Sequence, residues 1–265
     1  MYVTILAVIG VYLLSVVAYK KGSLTKGGAL AAFAIGATIA ISLSLFGLII
    51  LGAFFLSSTM IGKYIRSEVE EIERKGERRD AIQVLANGGW ASVSALIYGM
   101  TSMTVWLIAF IAALTAANSD TWASSIGKLS KRRPIHFFTF NKIEYGQSGG
   151  MTIAGTLGAI AGALFISLVT WLIAPLLHPS VEIGVSIIII IAVIGFLAQY
   201  IDTVVGGTIQ ALFQCRICGK VTEKNLHCKI NTEKIRGFAC ITNDVTNHAC
   251  TLSAIGLTWL YFLML

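Results

Sequence analysis

The sequence predicts an all-α membrane protein, a bundle of about eight transmembrane helices in a single domain. Of the 265 residues, 56% are hydrophobic and only 12% are charged, whereas a soluble domain carries roughly 25% charged residues. Several runs of about 16–24 residues contain no charge at all, as spans of a bilayer require. No hydrophilic stretch is long enough to build a core of its own, so no separate soluble domain is expected.

Hydropathy divides the apolar sequence into eight spans, and turn signals separate the paired ones. The spans cover residues 1–19, 28–44, 47–62, 82–99, 103–118, 151–174, 184–205 and 247–264. The first span has no basic n-region and no small-residue cleavage site before its Lys flank. We therefore expect a retained helix and not a cleaved signal peptide.

The positive charges predict the orientation of the bundle. All 20 Lys and Arg residues lie in four segments that connect spans on one side, at residues 20–26, 63–79, 128–142 and 216–236. The positive-inside rule places these segments in the cytoplasm and both termini outside, in a protein of the cell membrane. The net charge of +7 then serves mainly to orient the protein in the membrane, so no nucleic-acid partner is expected. Phosphate binding is a secondary use of some of the cations.

The first three spans are apolar or rich in small residues, and we expect them to pack against other helices. A cytoplasmic amphipathic helix is predicted over residues 63–81. At the start of the fourth span, Asp80, Gln83 and Asn87 are three and four residues apart and share one helix face. Acids and amides directed into a bundle are costly unless they are paired or functional, so these three are candidate site residues.

Residues 118–150 form a polar segment between two spans, and we interpret them as a cytoplasmic motif loop at the centre of an active site. Asn118 and Asp120 lie at the end of the fifth span. Three basic side chains follow, those of Lys128, Lys131 and Arg132, and we consider them candidate phosphate ligands. The turn that ends at Gly149 and Gly150 can present backbone N–H groups to an anion, although glycines continue into the next span at helix-packing spacing. No Walker A lysine follows.

Two further polar clusters belong to the same predicted membrane surface. Asp202 lies at the end of the seventh span in IDTVVGGTIQ, which resembles SDTWASSIGK in sequence and in topological position and suggests an internal repeat. The last span begins with Asn243, Asp244 and Asn247 on one helix face. Helix capping explains one of these three residues but not all of them.

The cytoplasmic loop at residues 206–240 contains a cluster of cysteine and histidine, CRICGKVTEKNLHC. Cys215, Cys218, His227 and Cys228 supply enough nitrogen and sulfur donors for a tetrahedral structural Zn²⁺. A single CxxC leaves a redox pair and reduced cysteines without a special role open as well. Disulfides are not expected in a reducing compartment.

Carboxylates and amides among Lys and Arg at one membrane depth favour phosphoryl or nucleotidyl transfer to a membrane lipid. Carboxylates hold Mg²⁺, the metal bridges phosphates, and cations and backbone N–H groups take up the remaining negative charge. A transporter or flippase for an anionic lipid or metabolite is the alternative. Such a protein would place its polar groups near the bilayer midplane and toward both sides, whereas here they crowd one surface.

The motifs that carry this chemistry also resemble a known family. DAIQVLANGG, NSDTWASSIGKLSKRRP, GQSGGMTIAGTLGA, IDTVVGGTIQ and TNDVTN are similar to the integral-membrane family that contains plant phytyl-phosphate kinase and animal transmembrane protein 19. The resemblance implies phosphorylation of an isoprenoid monophosphate, of phytyl or geranylgeranyl type, to the diphosphate. It also implies CTP or another nucleoside triphosphate as donor, and Mg²⁺ as cofactor.

The resemblance suggests a role for each candidate residue. Asp120 and Asp202 would be Mg²⁺ ligands, and Asp244 would be a third ligand or a base-like acceptor. The residues expected to orient phosphates or metal-bound waters are Asn87, Asn118 and Asn247. Those expected to bind nucleotide phosphates or substrate are Lys128, Lys131, Arg132, Gly149, Gly150, Asp80, Gln83 and Asn243. The prenyl chain would lie between spans rich in small residues.

Overall fold

The protein folds as a helical bundle in a computed structural model that describes residues 2–65, 78–144 and 146–265. Its helices are α1 (Tyr2–Lys20), α2 (Lys26–Tyr64), α3 (Ala81–Thr101), α4 (Thr104–Gly127), α5 (Ile153–Leu177), α6 (Val185–Thr208) and α7 (Asn243–Leu263). Five of them, α1, α2, α4, α5 and α6, are long and apolar enough to cross a membrane. The predicted helical membrane fold is confirmed. Of the amphipathic helix predicted at 63–81, residues 66–77 lie outside the described residues.

Helix α2 contains a sharp bend that explains why eight predicted spans become seven helices. Ser44 has φ 51° and ψ −139°, which interrupts the helix. A straight helix of this length would measure about 58 Å. Instead Gly28, near its start, packs against the backbone of Arg79, and the Arg79 guanidinium lies 5.9 Å from the ring centre of Phe55 in its second half. The chain therefore folds back at Ser44 and supplies both spans that were predicted at 28–44 and 47–62.

Helix α4 lies at the centre of the bundle. Every residue from 107 to 119 is buried, and α4 contacts α2, α3, α5, α6 and α7. It approaches α5 closely because Gly158 and Gly162 carry no side chain. A Cβ at either glycine would lie 2.9 Å from a backbone carbonyl oxygen of α4, that of Trp122 or Asn118. The glycine spacing noted in the sequence thus serves helix packing.

The two ends of the bundle differ in charge as the sequence predicts. At one end the segments that carry Lys and Arg contact one another, for example through the Thr25 N–H, which donates to the Arg79 carbonyl at 3.0 Å. At the other end three rings meet. Phe46 stacks on His178 with ring centres 5.1 Å apart, and the Tyr98 hydroxyl lies 2.7 Å from Nε2 of His178.

Short antiparallel strands organise the two long loops at the basic end, a feature that the sequence analysis did not anticipate. In the first loop β1 (Ile135–His136) pairs with β2 (Gly150–Met151). In the second, β3 (Leu212–Gln214) lies between β4 (Val221–Thr222) and β7 (Glu233–Arg236), and β5 (Leu226–His227) pairs with β6 (Ile230–Asn231).

The predicted motif loop at 118–150 starts inside a helix, because α4 continues to Gly127. Hydropathy ends the span at the first polar residues, but these side chains find partners on the neighbouring helix. Ser119 Oγ, for instance, donates to the Ala159 carbonyl at 2.9 Å. Polar residues with such partners do not terminate a helix within a bundle.

Candidate active site

A cleft of about 150 Å³ opens at the basic end of the bundle. Helices α4, α5 and α6 form it together with the two strand-containing loops. The residues that the sequence singled out and that line this cleft are Asp120, Lys128, Gly149, Gly150, Asp202 and Asn243. The fold thus brings together groups that are far apart in the sequence.

The acidic side of the cleft consists of one carboxylate from α4 and one from α6. Asp120 and Asp202 are both half-buried and line the cleft. Two aspartates that share a partly solvated cleft offer the oxygen donors and the room for water that Mg²⁺ requires. These residues fit a divalent cation of this kind.

The Gly-rich turn also lines the cleft and rests directly on α6. Gly149 has φ +83°, and a Cβ at this position would collide with the Cα of Gly207. His136 Nε2 lies 3.0 Å from the Gly207 carbonyl oxygen, and the Phe137 N–H donates to the Gly149 carbonyl at 3.0 Å. Only glycine allows this backbone-on-backbone contact at a left-handed residue.

The start of α5 also faces the cleft. Thr152 is its N-cap and accepts a hydrogen bond from the Gly155 N–H at 2.9 Å, and Thr152, Gly155 and Thr156 all line the cleft. The first turn of a helix directs N–H groups and the positive end of the helix dipole outward. Lys128 lies on the same cleft, so this side favours anions.

Glu223 and Gln210 are cleft residues that the sequence analysis did not select. Glu223 is only 6% exposed. Its Oε1 accepts hydrogen bonds from Ser148 Oγ at 2.7 Å and from Gln210 Nε2 at 2.7 Å. Glu223 belongs to a charged stretch, and no local pattern distinguishes it from solvent-exposed neighbours.

Arg236 strengthens the same connection between the two loops and α6. Its Nη2 donates to the Gly206 carbonyl at 2.8 Å. Burial lowers the pKa of Arg236, and the negative charge of Glu223 opposes that shift. Glu223 and Arg236 therefore join the second loop to the Gly-rich turn and to the end of α6.

Asn118 does not line the cleft, although the sequence analysis expected it to orient phosphates. It is fully buried, and its Oδ1 accepts hydrogen bonds from Ser57 at 3.0 Å and Ser58 at 3.3 Å. Its Nδ2 donates to the Gly162 carbonyl at 2.8 Å. Both ends of the amide are occupied, so Asn118 connects α2, α4 and α5 instead of reaching a ligand.

Asp80, Gln83 and Asn87 also lie outside the cleft. Asp80 is the N-cap of α3, and Asp80 and Gln83 form a capping box in which each side chain accepts from the other's backbone N–H, at 3.0 and 3.2 Å. Asn87 Nδ2 donates to the Gln83 carbonyl at 2.9 Å. The helix end itself thus explains the spacing of these polar residues.

A second cavity, of about 540 Å³, runs between α1, both halves of α2 and α3. Its walls are almost wholly apolar and include small residues such as Gly10, Gly36 and Gly52. The polar side chains of Arg79, Gln83 and Asn87 lie on its lining. We call it the apolar groove.

The remaining candidates surround the cleft at a greater distance. Asp244 is only 6% exposed in the first turn of α7, and Asn247 is half-buried on the same helix. Thr242 is the N-cap residue of α7 and makes no side-chain cap, so capping does not account for Asn243 or Asp244. Lys131 and Arg132 are exposed in the turn after α4. None of these four candidates, Asp244, Asn247, Lys131 and Arg132, belongs to the cleft lining.

The cysteine and histidine cluster assembles in the second loop. The side-chain donor atoms of Cys215, Cys218, His227 and Cys228 all lie within 4.8 Å of one another. A hydrogen bond from the Cys218 N–H lowers the pKa of the Cys215 thiol to about 6. A hydrogen bond with the Cys218 side chain raises the pKa of Cys228 to about 11.

Comparison with known proteins relates this architecture to other membrane proteins. A family model described as integral membrane protein DUF92 matches residues 9–255. The chain is 30% identical to Protein PGR of Arabidopsis thaliana over 96% of its own length and 94% of that protein. It is 35% identical to an uncharacterized membrane protein of Methanocaldococcus jannaschii, over 48% and 52% of the two lengths. It is 24% identical to Protein VTE6, chloroplastic, of Arabidopsis thaliana, over 61% and 51%. No solved structure matches the chain.

Proposed function

This chain belongs to the DUF92 family of integral membrane proteins, and on that premise we propose that it is a membrane-embedded phosphotransferase. It converts an isoprenoid monophosphate of phytyl or geranylgeranyl type to the diphosphate, with CTP or another nucleoside triphosphate as donor. The reaction takes place at the cytoplasmic surface of the cell membrane. The observation that carries this proposal is the shared cleft of Asp120, Asp202, Lys128 and the Gly-rich turn.

Asp120 and Asp202 would hold Mg²⁺, which would supply positive charge to offset the negative charge that develops during transfer. The Gly149 and Gly150 backbone, the first turn of α5 and Lys128 bind the phosphates of the nucleotide. Asn243, on the α7 side of the cleft, orients the acceptor. Hydrogen-bond donors that the fold already holds in position need no reorganisation when negative charge develops. This prior positioning should supply most of the rate acceleration.

The acceptor is a phosphate that is already anionic and nucleophilic, so the site does not require a strong general base. This agrees with a cleft lined by carboxylates together with Lys128 and the first turn of α5. Holding the two phosphates in line within the cleft replaces a bimolecular encounter by a local one. Asp244, which is buried next to Asn243 in the first turn of α7, is expected to position Asn243.

The centre of the bundle favours an enzyme over the alternative of a transporter or flippase. Residues 107–114 of α4 are all buried and apolar, so this half of the central helix offers no polar side chain to a substrate, and the Thr115 hydroxyl that follows donates to the Ile111 carbonyl at 2.8 Å. Alternating-access transporters hold substrate near the midplane on interrupted helices. Here the polar cleft lies at one end, and α4 is continuous.

An activity assay of the purified protein tests the proposal. We expect protein in detergent, given radiolabelled CTP or ATP with Mg²⁺ and phytyl or geranylgeranyl monophosphate, to form the diphosphate. Asp120→Asn and Asp202→Asn should each lower kcat at least about 100-fold. Each change removes a ligand of the Mg²⁺ that would stabilise negative charge on the transferring phosphoryl group. Glu182→Gln, at the opposite end of the bundle, is the matched control and should keep wild-type activity.

The result that contradicts the proposal is a folded protein that forms no diphosphate with any nucleotide and any prenyl phosphate. Wild-type turnover in both aspartate variants would contradict the assignment of the metal ligands even if the activity itself is present.

The apolar groove is the place that we propose for the isoprenoid chain, since its small and apolar lining suits a flexible hydrocarbon. Gly52 lies on the groove, and a Cβ there would meet no atom within 4 Å. Gly52→Leu should therefore fill the groove without disturbing the fold and raise KM for the prenyl phosphate about 10-fold, by removing space for several methylene groups. Gly256→Leu, at an equally open glycine outside the groove, should leave KM unchanged. An unchanged KM in both variants would exclude the groove as the lipid site.

A further inference from the structure

The second strand-containing loop holds three thiol sulfurs and one imidazole nitrogen in a compact arrangement. The proposed phosphotransferase reaction does not use them. Cys218 Sγ and Cys228 Sγ are 3.8 Å apart, and His227 Nδ1 lies 3.4 Å from Cys218 Sγ and 3.3 Å from Cys228 Sγ. The Cys215 sulfur lies within 4.8 Å of the other donors. Around a tetrahedral Zn²⁺, two sulfurs are separated by about 3.8 Å and sulfur and nitrogen by about 3.5 Å, given the usual bond lengths. The cluster therefore already has the dimensions of a zinc site.

The backbone that presents these donors is also specialised. Strands β5 and β6 are joined by only two residues, Cys228 and Lys229, whose φ values are +48° and +62°. A tight hairpin turn of this kind normally takes Asn and Gly, because other residues resist positive φ. Metal binding by its thiol would explain why a cysteine occupies a position with positive φ.

On the other side of the cluster, Cys215 and Cys218 lie on a tight turn that follows β3. The Gly219 N–H donates to the Cys215 carbonyl, and the Cys215 N–H donates to the Lys220 carbonyl, both at 2.9 Å. Gly219 has φ +71° and allows the chain to reverse directly after Cys218. Two turns thus supply two donors each, as in closed structural zinc sites.

We propose that Cys215, Cys218, His227 and Cys228 bind a structural Zn²⁺ that fixes the loop which supplies Glu223 to the cleft. Glu223 lies in the sequence between the two pairs of ligands, so the metal holds the segment that carries it at both ends. Through Ser148 and Gln210, Glu223 connects this loop to the Gly-rich turn and to the end of α6. Loss of the metal should loosen the wall of the cleft while the helical bundle stays intact.

Metal analysis of the purified full-length protein is the first test, and its readout does not depend on catalysis. We expect about one zinc per chain in the wild type and below about 0.2 in Cys218→Ser and Cys228→Ser. Cys240→Ser is the matched control, because Cys240 is exposed and lies outside the cluster, and it should retain about one zinc. Zinc below about 0.2 per chain in the wild type, whatever other metal is present, would overturn the proposal.

Thiol labelling of the wild-type protein gives a second test that does not require a variant to fold. Cys218 and Cys240 are both exposed, so a maleimide should modify both if no metal is bound. With zinc bound, only Cys240 should react quickly, and a strong zinc chelator should make Cys218 reactive. Equal reactivity of the two thiols before chelation contradicts the site, and so does protection of Cys218 that persists after chelation.

The connection to the cleft is tested by hydrogen exchange with and without chelator. Removal of zinc should increase exchange in residues 209–241 and 146–151 at least about 10-fold and leave that of α4 unchanged, since the loops would open locally. Unchanged exchange at 146–151 would overturn the proposed coupling to the Gly-rich turn. Because none of these measurements uses the prenyl phosphate assay, failure of the zinc site and failure of the proposed activity remain distinguishable.

Discussion

At the scale of single residues, the structure divides similar polar side chains into those that face the cleft and those that hold the bundle together. Asn118 and Asp120 are two positions apart on α4, yet Asn118 is fully buried among three hydrogen bonds and Asp120 lines the cleft. The 3.6-residue period turns such neighbours to different faces of the helix. A motif of adjacent polar residues thus serves packing and chemistry together.

Asp80 provides a test of this division, because its capping role and a binding role predict different results. We expect Asp80→Ala to lower the free energy of unfolding by about 1 kcal/mol through loss of the N-cap. Asp80→Ser, which keeps a good capping residue without the charge, should restore stability. Thermal unfolding in detergent measures the effect. If Asp80→Ser is stable but loses turnover, the carboxylate also acts on a ligand.

The sequence identifies Asp120, Asp202 and Asn243 as cleft residues because acids and amides stand out against apolar spans. It does not identify Glu223, since a buried glutamate in a charged loop looks like a solvated one. It also groups Asp80, Gln83 and Asn87 with the cleft residues, because a capping box has the same three-residue and four-residue spacing as a functional helix face. The structure places these three outside the cleft, with Gln83 and Asn87 on the apolar groove. Burial and partners, which decide between these cases, depend on contacts across the fold.

At the scale of helices and strands, the close packing of α4 and α5 determines the geometry of the cleft. Asp120 extends from α4, and the side proposed to bind phosphate begins where α5 begins, so the distance between the two helices sets the width between them. Gly155, Gly158 and Gly162 keep that distance short. The packing of α5 against α4 therefore controls where the two sides of the cleft lie.

Gly158→Ala tests this role. A Cβ at Gly158 would lie 2.9 Å from the Trp122 carbonyl oxygen and 3.0 Å from the Ile126 Cβ, so we expect a loss of about 1–3 kcal/mol of stability from overpacking. Gly256→Ala is the control with the opposite expected sign, because alanine meets no atom there and favours a helix over glycine. Equal melting temperatures of the two variants would show that α4 and α5 tolerate wider separation.

Hydropathy and turn signals predict the helices and even the reversal near Ser44, since long apolar runs leave few alternatives in a membrane. The strands could not be predicted in the same way. Strands of two to four residues are too short to show the alternation by which strands are recognised. Most of them are held by pairing with segments distant in the sequence, as β1 is with β2 and β3 with β7.

At the scale of the whole molecule, the charge asymmetry between the two ends of the bundle predicts its orientation in the membrane. Ser180 is exposed in the loop between α5 and α6, at the end without Lys or Arg, and Cys240 is exposed in the second loop at the basic end. In intact cells, a membrane-impermeant maleimide should modify Ser180→Cys and spare Cys240. Cys240 should become reactive only after lysis. The reverse pattern would place the cleft on the outer surface.

The central position of α4 has a consequence for how the chain reaches its final state during synthesis. Of the five helices able to span the bilayer, α4 is the least apolar and the most enclosed, with 78% of its most apolar window buried against 22% for α1. Such a helix gains little from lipid and much from protein neighbours, and three of these neighbours, α5, α6 and α7, emerge from the ribosome after it. We therefore expect α4 to remain beside the insertion machinery, or to be exposed to quality control, until the C-terminal helices arrive to surround it.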